Sequence, residues 1–154
     1  MDAFSTSSIT EFAIVLAGFS GLVIAIGSKE GRSSPLTKHR TLCMLSFSFA
    51  AAFGSLLPAL ALSFGIPNIW SFSSYGLICI LLVAVIVVYL STRLLLNEEE
   101  RKKLAWYMYI LIYWVNAFLI FLLALMPTAG YFFIALVWQL IVSAILFTRL
   151  ILQS

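Results

Sequence analysis

The chain has 154 residues, of which 63% are hydrophobic and only 10% charged. Soluble domains carry roughly 25% charged residues and about half apolar ones, so this sequence cannot cover a core of its own size with polar side chains. A net charge of +3 does not point to nucleic acid, because the basic residues stay close to long apolar segments and lack the extent of a binding face.

The expected fold is therefore all-α: a polytopic membrane protein with five transmembrane helices, forming one bundle over residues 1–154 without a separate soluble domain. The segments are 9–27, 41–64, 69–90, 104–126 and 131–152, each 19–24 residues long. About 20 apolar residues cross a ~30 Å hydrocarbon layer. The connections 65–68 and 127–130 carry Pro67 and Pro127, which a continuous helix would not accept, and read as tight hairpins. Residues 1–12 contain Asp2 and Glu11 but no Lys or Arg, so a cleavable signal peptide is not expected.

The nine basic residues occupy three places. Lys29, Arg32, Lys38 and Arg40 follow the first segment; Arg93, Arg101, Lys102 and Lys103 follow the third; Arg149 ends the fifth. Five spans put all three places on one side. The positive-inside rule makes that side cytoplasmic, with the N-terminus outside, and the plasma (inner) membrane is the expected location.

The first segment has two unlike faces. Ala13, Ala17, Gly21 and Ala25 recur every four residues as a small stripe suited to close helix packing. Glu11, Val15, Gly18, Leu22 and Lys29 fall within roughly 60° of one another on the other face. Around an axis shared by several copies, Glu11 would form an outer acidic ring, Val15 and Leu22 an apolar throat, Gly18 a wide point and Lys29 a basic inner ring. The blander alternative has Glu11 closing a capping box begun at Ser8, Lys29 snorkelling to headgroups, and Val15 and Leu22 touching lipid.

The second helix should begin at Pro35 and carry Lys38, His39 and Arg40 on a cytosolic stem. Arg32, Lys38 and Arg40 are candidates for anionic headgroup contacts. Ser48, Ala52, Ser55, Ala59 and Ser63 form a second small stripe, expected to pack on the first segment. Pro58 interrupts it and frees the Gly54 carbonyl. The third segment, LICILLVAVIVVYL at its centre, is aliphatic and reads as the lipid-facing rim. Asn97 with Glu100 fits a cap for the fourth helix, and Glu98 with Lys102 and Glu99 with Lys103 are helical charge pairs.

The last two segments are aromatic, with amides only at Asn116 and Gln139. Counted from the 127–130 turn, these two lie at nearly the same depth and are expected to hydrogen-bond across the hairpin. Ala135, Gln139 and Ser143 form the stripe that would present Gln139. Cys43 and Cys79 differ in depth by ~18 Å, which is too far for a disulfide, and read as buried free thiols.

No catalytic set stands out. His39 is the sole histidine, no ligand set has metal-binding spacing, and no charge sits at midplane for ion coupling. No enzyme, metal or cofactor is expected. Five spans are too few to enclose a water-filled path in one copy. The sequence therefore reads as a small homo-oligomeric channel or pore lined by its first segment, or alternatively as a non-catalytic accessory or scaffold subunit of a larger membrane complex. The expected partners are membrane lipid, further copies of the chain and a possible second membrane protein, with no nucleic acid.

Overall fold

The structure, a computed structural model, describes residues 35–104 and 106–152, together with Glu11, Ile14, Val15, Gly18 and Gly21. These residues are helical or in connections, without strands. Four helices are long and apolar enough to cross a membrane: α1 (Pro35–Ser63), α2 (Ile69–Leu95), α4 (Trp106–Leu125) and α5 (Ala129–Leu152). Between them, α3 (Glu98–Lys102) has only five residues. The five isolated N-terminal residues are all helical, but most of segment 9–27, and with it the fifth span and the orientation, lies outside the described residues.

Local chemistry sets the helix ends. Proline has no N–H to lose at the first helical position, where α1 begins with Pro35. At 29 residues α1 is about 44 Å long, longer than the hydrocarbon layer is thick, so part of it stands outside that layer. It ends in a Schellman motif: Ile66 N donates to Ala61 O at 3.0 Å and Gly65 N to Leu62 O at 3.1 Å. Gly65 takes φ +65, a conformation that a Cβ makes costly. Pro67 then blocks continuation, and the Asn68 side chain caps α2 by accepting from Ser71 N at 3.3 Å.

The segment after α2 departs from expectation. Asn97 and Glu100 cap the separate short helix α3, with Glu100 Oε2 accepting from Asn97 N at 3.1 Å, rather than the fourth spanning helix. Lys103 lies past the end of α3, so Glu99 has no helical partner there. Arg101 turns back to donate to Thr92 O at 3.3 Å and Arg93 O at 2.9 Å. These are terminal carbonyls of α2, otherwise left without intrahelical donors, so the arginine anchors α3 against that end.

The helix α1 packs on both α2 and α5, and α4 packs on the same two helices from the other side. Two apolar clusters fill the interior. One surrounds Met44, Phe47 and Leu146 toward the basic end, and the other Leu77, Leu123 and Phe132 toward the hairpin turns.

The third segment keeps the broad exposed side expected of a lipid-facing helix, at Leu82, Val83, Ile86, Leu90 and Leu94, but it is not rim alone. Ser73, Leu77, Leu81, Ala84, Val88 and Ser91 make a buried stripe on α2, and that helix touches all three other long helices. Lipid is as apolar as a helix surface, so an aliphatic sequence does not distinguish the two neighbours. The small stripe of α1 faces neighbours inside the described bundle over part of its length. Ala52 clusters with Leu140 of α5, and a Cβ at Gly54 would stand 2.7 Å from Leu77 Cδ1 and 2.9 Å from Leu136 Cδ2. Ala52 and Gly54 let α1 approach α5 and α2, while any packing of this stripe on the first segment lies outside the described residues. Ser48 and Ser55 are buried with Ala52, whereas Ala59 and Ser63 are exposed.

Candidate functional site

Two side-chain bonds give the bundle its register. Ser143 Oγ of α5 donates to Met44 O of α1 at 3.3 Å. Gln139 Nε2 donates to Asn116 Oδ1 of α4 at 2.8 Å. Because α1 and α4 run antiparallel to α5, residue 139 faces the level of Ser48 and Asn116. Three buried polar side chains from three helices therefore share one layer.

The layer is only partly satisfied. Asn116 Nδ2 donates to Ile112 O at 2.9 Å, but Gln139 Oε1, Ser48 Oγ and Trp138 Nε1 are buried without partners among the described residues. A helical serine ordinarily bonds back to the carbonyl four residues earlier, as Ser46 does to Leu42 O at 2.7 Å. For Ser48 that carbonyl is Met44 O, which already accepts from Ser143.

A second polar group ties α1 to α2 near the basic end. His39 lies fully buried, with Nδ1 2.7 Å from Ser91 Oγ. Ser91 donates its one proton to Val88 O at 3.0 Å. The bond to Ser91 is then donated by His39 Nδ1–H, which leaves Nε2 unprotonated, 3.6 Å from Cys43 Sγ. The Tyr109 ring of α4 closes this group at a centroid distance of 5.8 Å. A thiol beside an imidazole is the pairing that activates a cysteine nucleophile, but here both residues have no exposed surface. The arrangement fastens helices and gives a substrate no approach.

His39 thus sits in the first turns of α1, on the expected stem, but turned inward. Its partner Ser91 lies 52 residues away, and no local spacing announces it. Among the described residues no group of three or more His, Cys, Asp or Glu could hold a metal ion.

The described residues of the first segment lie at the surface. Glu11, Val15 and Gly18 are helical and exposed, and so is Gly21 of the small stripe. A Cβ at Gly18 or Gly21 would meet nothing within 4 Å. Leu22 and Lys29 of the expected pore face, and Ala13, Ala17 and Ala25 of the small face, lie outside the described residues. Of the headgroup candidates, Lys38 is exposed, Arg40 half-buried, and Arg32 outside the described residues.

Cys43 is buried and Cys79 exposed, which corrects the second thiol; neither is in a disulfide. Cys79 lines an open apolar groove of about 560 Å³ between α1 and α2, beside Phe49, Phe53 and Val83. On α4, Trp114 is 73% exposed only two residues from Asn116, so this indole sits at the depth of the polar layer. No protein-family model, no curated protein and no solved structure matches this chain.

Proposed function

We propose that the chain forms a small homo-oligomeric membrane channel or pore whose shared axis is lined by the first segment. In this reading the N-terminus is outside, the basic end cytoplasmic, and the membrane the plasma (inner) membrane. The observation that carries it is that Glu11, Val15 and Gly18 are helical and exposed, as are Ile14 and Gly21, beside a four-helix interior filled by apolar side chains. Apolar clusters occupy the interior on both sides of its central polar layer. A water path through one copy would have to cross both, so permeation belongs between copies. An acidic ring above an apolar throat supplies cation attraction and a gate that closes by dewetting.

A second reading, an accessory subunit seated on another membrane protein, is favoured by Trp114. Tryptophans in membranes concentrate at the headgroup levels, where the indole N–H finds polar company. One exposed at mid-bundle depth suits a protein partner better than acyl chains.

Ion flux into liposomes holding the purified protein separates the two. In a channel, Val15→Ser and Leu22→Ser raise flux above wild type by wetting the throat, and Glu11→Gln lowers cation selectivity with little loss of stability. Absence of flux from wild type and both serine variants refutes the pore and leaves the subunit reading.

A further inference from the structure

The same register places a group of basic residues at one level. Continuing the Ser143 to Met44 pairing along the antiparallel helices sets Arg149 beside residue 38 of α1. Continuing the Gln139 to Asn116 pairing sets it beside Trp106 of α4. Arg40 precedes Met44 and Ser48 at four-residue spacing, on the stripe of α1 that faces α5. Arg40 and Arg149 are both half-buried. Each lies within electrostatic reach of the other, and both are within reach of Tyr109.

Among the described residues this pair of like charges has little to balance it. Arg149 Nη1 points at Met108 Sδ, 3.6 Å away, and a thioether is a weak acceptor. The acids of the described chain are elsewhere: Glu11 in the first segment, and Glu98, Glu99 and Glu100 in α3, where Glu100 caps Asn97. Trp106 and Tyr107 stand exposed at the same level, the pattern of an interfacial aromatic belt. Two guanidiniums half withdrawn from water at that depth repel each other unless an anion lies between them.

We propose that Arg40 and Arg149 bind a phosphate group between α1 and α5, supplied by the headgroup of an anionic lipid. Each guanidinium presents a planar fork of N–H donors that matches phosphate oxygens two at a time. The acyl chains would lie along the exposed apolar sides of the same helices. The site joins residues more than a hundred positions apart, one on each of two helices. It rests on membrane embedding alone and holds for a channel or an accessory subunit alike.

The test uses the full chain in neutral detergent, with native mass spectrometry to count retained lipid and thermal unfolding to read stabilisation. Phosphatidylglycerol should stay bound and raise the Tm, whereas phosphatidylcholine should do neither. Arg149→Gln and Arg40→Gln should each weaken phosphatidylglycerol retention about fivefold, the size expected for one basic contact to an anionic lipid. Lys102→Gln, in the exposed loop, should leave retention unchanged. Inorganic phosphate alone distinguishes the source. A full Tm shift that Arg149→Gln abolishes keeps the anion site but assigns it to free phosphate, and no shift assigns it to lipid. Wild-type retention in Arg149→Gln, or an equal loss in Lys102→Gln, overturns the site. Arg40→Gln gives an independent reading should Arg149→Gln fail to fold.

Discussion

Asn116 and Gln139 offer the sharpest test of the bundle interior, because their roles are unequal. Among the described residues, Asn116→Leu removes the only partner of Gln139 Nε2, and Gln139 Oε1 has none already, so the whole amide is stranded. Gln139→Leu strands only Asn116 Oδ1, since Asn116 Nδ2 keeps Ile112 O, and it also removes an orphaned acceptor. A stranded buried polar group costs about 1–3 kcal/mol in water-based scales. Interhelical hydrogen bonds in membranes average ~0.6 kcal/mol and reach ~1.7. Asn116→Leu should therefore cost about 1.5–2 kcal/mol and Gln139→Leu about 0.5–1. The double variant strands nothing in this pair, so it should be less destabilised than the sum by roughly 0.6–1.7 kcal/mol. Reversible unfolding by SDS in bicelles measures all four proteins. Additivity within ~0.3 kcal/mol, or a larger loss for Gln139→Leu than for Asn116→Leu, refutes the unequal pair.

Three further outcomes are expected. Gly54→Val should destabilise by about 1–3 kcal/mol in the same unfolding assay, because its branched side chain has no room between Leu77 and Leu136. Gly54→Ala should cost less, since the atoms it meets are the mobile ends of leucines; equal costs would contradict that close approach. A photoactivated carbene reagent dissolved in the bilayer, which needs no thiolate, should label Cys79 and spare Cys43 in the native chain, as read by peptide mass. A label on Cys43 before unfolding would place it at the surface instead of the core. Ser91→Ala should cost about 1–3 kcal/mol by leaving His39 Nδ1–H without an acceptor, yet little in a His39→Leu background; the same loss in both backgrounds rules out their coupling.

The parts legible from sequence are those written in short spacings. Gly65 and Pro67 mark a helix stop, and Asn68 marks the next start, with each acting within a few residues of its own position. The two amides could be matched because one tight turn joins their helices, so depth is counted along the chain. Where the partner comes from a remote segment, that counting fails. His39 meets Ser91 through helix packing, and the small stripe of α1 looks much the same whether it faces the first segment or α5. The aliphatic run of α2 carries the same ambiguity, since lipid and protein are equally apolar neighbours. Only the serines and alanine on its buried stripe hint at the close contacts that resolve it.

Trp114 can decide between the two functional readings, because they place α4 differently. The helix α4 packs on α2 and α5 from the side opposite α1, and a channel axis lined by the first segment puts no demand on its outer face. Trp114→Leu keeps an apolar side chain there and should leave a homo-oligomer, its flux and its thermal stability unchanged. An accessory subunit that seats its indole in a partner would lose that contact. Buried aromatic anchors are worth 2 kcal/mol or more at interfaces, so the loss should be about thirtyfold or greater in affinity. Crosslinking in native membranes, compared for wild type and Trp114→Leu, reads this directly. A heterologous crosslink that vanishes in the variant while the chain stays folded supports the subunit. A self-crosslink that persists at wild-type yield supports the channel. The core around Asn116 points inward and is common to both readings, so the variant tests the assembly without disturbing the bundle.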